Sequence, residues 1–361
     1  MNINFMSAIN TTGYGTCGMN ILSELILLGE KVSFFNVTSG IECYSQDEVN
    51  IITLAVNNAE NYDINAPCLQ LWHLPHINMF VGRGPKIGFP IFELDSFSSR
   101  EKINVSVLDR MFVTSKWAKD IVTNNISSIK EDKIDVVNLG HNVGRYPELL
   151  NVARQPGPFR FFTCGKWEKR KGHDVICEAF NKAFDEKDDV ELHLMCGNHT
   201  HLNQDQELTW KNKFLMSKNG SKVRFIERVP LQKQVFEIMA QMDCGLFPAR
   251  AEGWNLELME MMALNKPVIT TNCSAHTEYC NKENSYLIDV GPLEPAFDDK
   301  WFNGRMGSWA SVKGPQIDQM VTYMRKIYNE RPRNESGGKE IRETYTWRRT
   351  AERISGILRN I

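Results

Sequence analysis

Two glutamates, Glu252 and Glu260, follow an apolar strand pattern at a spacing that places them in one turn and in the helix after it. Glu260 lies in a helix predicted over Leu256–Leu264, and the neighbouring methionines indicate that this helix is mostly buried. A buried carboxylate needs a partner, and carboxylates are good acceptors for paired sugar or ribose hydroxyls. Backbone N–H groups of residues 254–256 would lie at the start of that helix, beside the same ligand. The alternative is that Glu260 is an ordinary surface residue.

A second candidate is a charged loop between Gly165 and Gly172, which follows an apolar strand pattern and precedes a helix predicted over Asp174–Phe184. Lys166 and Lys171 would both be able to reach one phosphate group. Cations of this kind are what a leaving diphosphate needs, because negative charge grows on it as its bond breaks. The alternative is a solvated charge run, which such clusters usually are.

A third candidate is the glycine-containing turn that opens the first predicted helix. Gly13, Gly15 and Gly18 would let backbone N–H groups approach an anion at the helix N-terminus. The letters fit G-x-G-x-x-G, but the acid that dinucleotide-binding chains carry about twenty residues later is missing, and Asn36 stands there instead. A purely structural turn remains the alternative.

Short apolar runs alternate with helical patterns, which predicts strand–helix units with parallel sheets. Residues 154–158 break both patterns and are typical of a linker, residues 291–314 are predicted to be irregular, and residues 346–358 are predicted to form a helix. Ligands bind beyond the carboxyl ends of parallel strands, so the strand-end loops are where chemistry is expected. The predicted strands are Ile3–Ile9, Val32–Val37, Ile51–Val56, Cys68–Trp72, Ile87–Phe92, Met111–Thr114 and Ile134–Leu139 before the linker, and Phe159–Cys164, Val190–Cys196, Val223–Ile226, Cys244–Phe247, Val268–Thr271 and Tyr286–Ile288 after it.

The length of 361 residues exceeds what one hydrophobic core usually serves, so two α/β domains are expected. A net charge of −2 gives no general field that would attract polyanions. The nine cysteines form no C-x-x-C pair and indicate free thiols in a reducing compartment. Neither a signal peptide nor an apolar run long enough to span a bilayer is recognisable, so a cytoplasmic location is expected.

These features together resemble the retaining glycosyltransferases of family 4, which have the GT-B fold of two Rossmann-like domains facing a cleft. The segment Glu252–Val268 is similar to their E-x7-E signature, and Gly165–Gly172 matches the spacing of their G-R-x-x-x-x-K-G motif. Ser115 and Gly140 resemble landmarks of the first domain, and residues 345–349 resemble the start of a terminal helix that crosses back to it. The E-x7-E part is specific, and the other similarities are supportive.

The resemblance implies an α/β, GT-B fold of two doubly wound domains and a role for each. Residues 1–155, joined by a helix at about 345–361, would bind the acceptor, and residues 156–344 would bind the nucleotide-sugar donor. Glu252 would face the transferred sugar, Glu260 would bind the ribose hydroxyls, and the two lysines would hold the diphosphate. The residues implied for donor binding are Gly13, Gly15, Gly165, Lys166, Lys171, Glu252, Gly253, Trp254, Asn255, Leu256 and Glu260.

Enzymes of this family retain the anomeric configuration without a protein nucleophile, and the leaving phosphate helps to deprotonate the acceptor. The resemblance therefore implies no metal and no cofactor besides the nucleotide sugar. Three positions depart from the family pattern: Lys166 replaces an arginine, Asn255 replaces a glycine, and Glu93 stands where the family often has an active-site histidine. His73 ends the preceding strand and joins Glu93, Lys166, Lys171 and Glu252 as a candidate catalytic residue.

The expected reaction is transfer of a hexose from a UDP- or GDP-linked sugar to a hydroxyl acceptor. The acceptor stays open between a glycan, a lipid-linked sugar, a protein and a modified nucleobase, and the oligomeric state is not predicted. A non-catalytic module that binds nucleotide sugars, a GT-B epimerase or phosphorylase, and a nicotinamide-dependent dehydrogenase are the alternatives.

Overall fold

The computed structural model describes residues 1–43, 45–198, 204–298 and 300–361, which divide into two compact units. Unit 1 comprises Met1–Gly140 and Thr344–Ile361, and unit 2 comprises His141–Glu343. Residues 154–158, predicted as a linker, lie inside unit 2.

Unit 1 is built on a six-stranded parallel sheet in the order β2-β1-β3-β4-β5-β6. Its strands are short and mostly buried, as expected when helices cover both faces of a parallel sheet. The strands are β1 (Asn2–Ser7), β2 (Lys31–Asn36), β3 (Cys68–Leu71), β4 (Lys86–Gly88), β5 (Arg110–Val113) and β6 (Ile134–Val136), and the helices between them are α1 (Gly13–Leu27), α2 (Gln46–Ala59), α3 (Ser99–Val105) and α4 (Lys116–Asn125).

Unit 2 has a second six-stranded parallel sheet, in the order β12-β11-β10-β7-β8-β9. The strands are β7 (Phe159–Gly165), β8 (Val190–Cys196), β9 (Val223–Phe225), β10 (Cys244–Phe247), β11 (Val268–Thr271) and β12 (Tyr286–Ile288). The helices are α5 (His173–Ala183), α6 (Gln204–Leu215), α7 (Gln232–Ala240), α8 (Leu256–Ala263), α9 (Gly314–Glu330) and α10 (Glu335–Thr344). Strand order reverses between the first and fourth strands of this unit, as in a Rossmann sheet. The prediction of two Rossmann-like, doubly wound domains is confirmed.

The units divide after Gly140, fifteen residues before the predicted boundary, because the segment that follows packs on α7. The side chain of Asn142 donates a hydrogen bond to Gln232 Oε1 (2.8 Å), and the ring of Tyr146 lies 5.9 Å from that of Phe236. The assignment of an acceptor role to one domain and a donor role to the other stays a prediction.

Two local predictions are wrong. Ile51–Val56 is part of helix α2 and not a strand, because Ser45 caps the helix and only Ile52 and Ala55 of its residues are buried. Residues 291–314, predicted to be irregular, contain the antiparallel strands β13 (Leu293–Phe297) and β14 (Asn303–Ala310). Residue 299 of that segment lies outside the described residues.

The chain returns to unit 1 through helix α11 (Trp347–Leu358), which packs on α1 and confirms the predicted terminal helix. Glu30, whose side chain is 1% exposed, accepts hydrogen bonds from Ser355 Oγ (2.5 Å) and Arg359 Nη2 (2.5 Å). Thr350 Oγ1 donates to the carbonyl of Asn138 (2.8 Å). A buried carboxylate thus anchors the end of the chain to the first sheet.

We expect the substitution Glu30→Gln to lower the free energy of unfolding by about 1–3 kcal/mol, because it removes the charge that Ser355, Arg359 and the N-terminal ammonium of Met1 contact. Urea unfolding of the full chain measures the loss. Glu352→Gln, which removes an exposed ion pair with Arg348 on the same helix, is the matched control and should cost less than about 0.5 kcal/mol. Equal losses in the two variants would contradict the anchoring role of Glu30.

Candidate active site

The order of the second sheet brings two of the predicted loops together. β7 and β10 are neighbours, and the loops that follow them start at the point where the strand order reverses. Gly165–Gly172 follows β7, and the turn that contains Glu252 follows β10. Open α/β sheets bind ligands at such a point, so the topology selects this edge of unit 2.

The centre of this edge is a buried carboxylate held by two cations. Lys171 Nζ donates to Glu252 Oε1 (2.9 Å), and Arg170 Nη1 lies 3.0 Å from Glu252 Oε2. Arg170 also contacts Glu168 (2.8 Å) and donates to the carbonyl of Ala251 (2.8 Å). The Glu252 carboxylate is therefore fixed from the β7 loop, and its backbone N–H donates to Oγ of Ser274 (2.9 Å), which follows β11.

The cations determine the protonation of Glu252. Burial opposes ionisation of its carboxyl, but the charges of Arg170 and Lys171 outweigh burial and lower the pKa to about 2. Burial likewise opposes the charge on Lys171, and Glu252 reverses that effect and raises the pKa of the ammonium above its ordinary value. Near neutral pH the pair is therefore fully ionised, a carboxylate and an ammonium in contact.

Two glycines explain how the β7 loop reaches Glu252. Gly165 has φ +131°, and a Cβ on it would lie 2.9 Å from Cδ of Lys171. Gly172 has φ +77°, and a Cβ there would lie 2.3 Å from the carbonyl oxygen of Pro248, at the end of β10. Both positions need glycine for conformation and for space, because the lysine side chain and the β10 loop pass directly over them.

An ion pair between Arg250 and Asp174 holds the two loops that carry this cluster. Arg250 donates to both carboxylate oxygens of Asp174, at 2.9 and 2.8 Å, and also to the carbonyl of Lys169. Its backbone N–H donates to the carbonyl of Arg170 (2.7 Å). The bidentate pair joins the first turn of α5 to the β10 loop, and it fixes both loops relative to each other.

Glu260 has a different environment although it lies only eight residues from Glu252. It is 4% exposed, and Gln232 Nε2 donates to its Oε1 (3.0 Å). Burial and the charge of Glu257 together raise the pKa of Glu260 to about 8, while the bond from Gln232 opposes this shift. The carboxyl is therefore mostly protonated at neutral pH, with one O–H to donate and oxygens to accept.

The thiol of Cys164, near the end of β7, lies among these charges. Burial raises its pKa well above the ordinary value, Glu257 and Glu260 raise it further, and Lys171 lowers it. Lys171 contacts Glu252 in the loop after β10, and Glu260 lies in α8, the helix that follows the same loop. The structure thus brings together Lys171, Glu252 and Glu260 within unit 2.

Helix α8 begins in this neighbourhood. Asn255 precedes its first residue, Leu256, with φ 82°, and its side chain accepts the N–H of Leu258 (3.2 Å). Tyr279 Oη donates to the carbonyl of Trp254 (2.7 Å). Gly253 and Trp254 are buried in the turn. The residues predicted for backbone contacts therefore form a fixed turn at the helix N-terminus.

Lys166 differs from Lys171 because its side chain is exposed. Its carbonyl is held at 2.7 Å by Nε2 of His173, which must donate because a carbonyl oxygen only accepts. The backbone of Lys166 is thus fixed to the start of α5, while its ammonium extends toward solvent.

Unit 1 presents its own candidates at the reversal of strand order between β1 and β3. Gly15 is buried in the first turn of α1, where a Cβ would lie 2.2 Å from the carbonyl oxygen of Asn10, whereas Gly13 faces open space. The ring of Tyr14 lies 4.3 Å from that of His73, and its pKa is raised by burial and by the charge of Glu93. The structure therefore gathers Gly13, Gly15, His73 and Glu93 around Tyr14.

Several residues that hold these sites were missed by sequence reasoning. Tyr14 bridges the backbone N–H and carbonyl of Ile91, at 2.8 and 2.9 Å, and so positions the segment that leads from β4 to Glu93. Arg170 and Gln232 hold the two glutamates. The cluster of charges in Glu168-Lys169-Arg170 was the available signal for Arg170, whereas no sequence feature marked Gln232 or Tyr14.

The described residues contain no group of three or more His, Cys, Asp or Glu side chains placed to hold a metal ion. No helix in the described ranges is long and apolar enough to cross a membrane.

Sequence comparison relates unit 2 to a known family. Residues 158–300 match the family described as Glycosyl transferases group 1. A segment of 172 residues, 46% of this chain, is 23% identical to an uncharacterized glycosyltransferase of Methanocaldococcus jannaschii. The match covers 40% of that relative, so the chain spans less than half the length of the curated protein that it matches.

Structure comparison covers the whole chain. Sucrose-phosphate synthase from Thermosynechococcus elongatus superposes with a TM-score of 0.71 at 13% identity, over 100% of this chain and 98% of that one. HepE from Anabaena, solved in complex with UDP-glucose, gives a TM-score of 0.71 at 14% identity over the full length of both chains. At these identities the likeness shows the fold alone, and the predicted GT-B fold is confirmed.

We expect Glu260→Gln to change the pH dependence of stability. The pKa of Glu260 rises from an ordinary 4.5 to about 8 on folding, so the folded state holds an extra proton between these values and wild-type stability falls as the pH rises through them. The uncharged amide does not titrate, so the variant should gain on the order of 4 kcal/mol relative to wild type between pH 4.5 and pH 8.5.

Urea unfolding at several pH values tests this expectation. Glu178→Gln, at a half-exposed position on α5, is the matched control and should follow the wild-type curve. A constant difference between Glu260→Gln and wild type across that range would show that the buried carboxyl titrates normally.

Proposed function

We propose that this chain is a retaining glycosyltransferase of family 4, which transfers a hexose from a nucleoside diphosphate sugar to a hydroxyl acceptor. The match of residues 158–300 to group 1 glycosyl transferases supports the reaction class. The observation that carries the proposal is the contact of Lys171 Nζ with Glu252 Oε1 at 2.9 Å, beside the buried Glu260. A cation, a carboxylate and a protonated carboxyl at one edge of the sheet suit the diphosphate, the hexose and the ribose of a nucleotide sugar.

The diphosphate would lie against Lys171. An ammonium has three N–H donors, so Lys171 can keep its bond to Glu252 and also reach a phosphate oxygen. Lys166 would add a second cation from the exposed side of the loop, and the N-terminus of α8 would add backbone N–H groups. These charges would stabilise the leaving diphosphate as the glycosidic bond breaks.

The two glutamates would recognise the two sugars of the donor. Glu252, ionised and held by Arg170, can only accept, so it would bind hydroxyl groups of the transferred hexose. Glu260, protonated and held by Gln232, can donate and accept, so it would bind the neighbouring 2′- and 3′-hydroxyls of the ribose. Their opposite protonation states thus match two different partners.

The remaining steps follow from the family resemblance. The leaving phosphate would take the proton of the acceptor hydroxyl, and the acceptor oxygen would bond to the anomeric carbon on the face that the phosphate leaves. In unit 1, His73 and Glu93 are proposed as catalytic residues, and Gly13 and Gly15 are proposed as donor-binding residues. No metal and no further cofactor is expected, and a cytoplasmic location remains our proposal.

UDP is the first nucleotide to test, because the similar HepE structure contains UDP-glucose. Thermal shift with UDP, GDP and ADP identifies the base, since a ligand that binds only the folded state raises the melting temperature. Calorimetry with the best nucleotide then compares Lys171→Met with wild type. We expect a dissociation constant about 10- to 100-fold higher, the loss of one charge-assisted contact.

Lys182→Met is the matched control for that experiment, because Lys182 is half-exposed on α5 and pairs only with surface carboxylates among its recorded contacts. It should bind the nucleotide as wild type does. Equal affinities for Lys171→Met and wild type would contradict the role of Lys171 in binding the diphosphate. Binding of NAD instead of any nucleoside diphosphate would favour the dehydrogenase alternative.

Glu252→Gln separates catalysis from nucleotide binding. Affinity for the nucleoside diphosphate should change by less than about threefold, while hydrolysis of the matching nucleotide sugar should fall at least about 100-fold, because the hexose loses its charged acceptor. Release of nucleotide from the sugar, without an added acceptor, measures the rate, and NMR of the released sugar reports the anomer first formed. Binding without hydrolysis in wild type would favour the non-catalytic alternative.

A further inference from the structure

Asn255, at the start of α8, adopts a backbone conformation that side chains rarely take. Its φ of 82° lies in the left-handed region, where glycine is the favoured residue. Asparagine tolerates this region better than most residues, but only when the surrounding structure holds it there. The structure must therefore contain a group that fixes Asn255.

Two groups contact Asn255 from the segment after β11: Tyr279 Oη lies 3.1 Å from its carbonyl oxygen, and the buried imidazole of His276 binds its side chain. The side-chain oxygen of Asn255 accepts the N–H of Leu258 (3.2 Å), so its amide nitrogen must face the ring, and Asn255 Nδ2 lies 3.0 Å from His276 Nε2. Because Nδ2 only donates, Nε2 must accept and therefore carries no proton. Both hydrogen-bonding groups of the Asn255 side chain are thus used to hold one conformation.

The same reasoning determines the protonation of the other ring nitrogen of His276. The proton must lie on Nδ1 of His276, which is 3.0 Å from Thr270 Oγ1, and Thr270 in turn donates to the carbonyl of Phe247 (3.0 Å). The chain of bonds runs from the end of β10 through β11 and the ring to the first turn of α8. Burial, with help from Lys171 and Arg170, lowers the pKa of His276 to about 4 against the opposing charge of Glu252, so the ring stays neutral.

We infer that His276 is a positioning residue, which holds Asn255 in the left-handed conformation and so directs the first N–H groups of α8 at the donor diphosphate. The direction toward a diphosphate rests on the proposed function. The coupling between His276 and Asn255 does not, because it follows from the contacts alone. His276 takes no proton from the substrate in this role.

The substitution Asn255→Gly provides the test, because glycine adopts positive φ without an anchor. His276→Ala is made in the wild-type background and in the Asn255→Gly background. Hydrogen exchange of the backbone amides of residues 256–258 is measured by mass spectrometry, and nucleoside diphosphate affinity is measured by calorimetry. The first readout needs no ligand.

With Asn255 present, His276→Ala should speed exchange at residues 256–258 by about tenfold or more and raise the nucleotide dissociation constant by about tenfold, because a buried bond is lost. In the glycine background the same substitution should change each quantity by less than about threefold. Thr270→Val removes one acceptor of the Nδ1 proton and leaves the carbonyl of Thr271 at 3.3 Å, so it should give a smaller effect in the same direction, which covers the case in which His276→Ala does not fold.

His193→Ala is the matched control, because this histidine lies on β8 and contacts Glu191 (3.0 Å) rather than the α8 turn. Equal effects of His276→Ala in both backgrounds, or no effect on exchange in either, would overturn the inference. Absence of nucleotide binding by the wild-type chain counts against the proposed function, whereas the exchange readout decides the His276–Asn255 coupling separately.

Discussion

The contact of Glu252 with Lys171 and Arg170 is the interaction on which the candidate site depends. Burying one carboxylate costs several kcal/mol unless opposite charges compensate, and removal of a partner leaves a buried charge unpaired. The loops around it are built to keep all three groups in place, with glycine at 165 and 172 and with Arg250 bound to Asp174. The need to pair the buried carboxylate of Glu252 with cations thus determines the geometry of this edge of the sheet.

The second glutamate shows what happens when the cations are absent. Glu260 faces the amide of Gln232 and the charge of Glu257, so its pKa is raised to about 8, whereas that of Glu252 is lowered to about 2. Two identical side chains, eight residues apart, therefore have opposite protonation states near neutral pH. One can only accept hydrogen bonds and the other can also donate, which gives one strand edge two distinct recognition elements.

The sequence predicted the double Rossmann-like fold and the loops of the site, because strand-end positions follow from the apolar pattern. Gln232, which holds Glu260, and His276, which holds Asn255, could not be predicted, since both come from distant segments that only the fold brings close. Ile51–Val56 was misassigned for a related reason, because a short apolar run suits a strand or one face of a helix equally well. Asn255 was noted as a departure from glycine, but its φ and its anchor required coordinates.

A crystal structure with the tightest-binding nucleoside diphosphate bound tests the central claim most directly. The account predicts that phosphate oxygens lie within hydrogen-bond distance of Lys171 Nζ and that the ribose hydroxyls contact the carboxyl of Glu260. A nucleotide bound at any other part of unit 2, with the Lys171–Glu252 pair untouched, would contradict it.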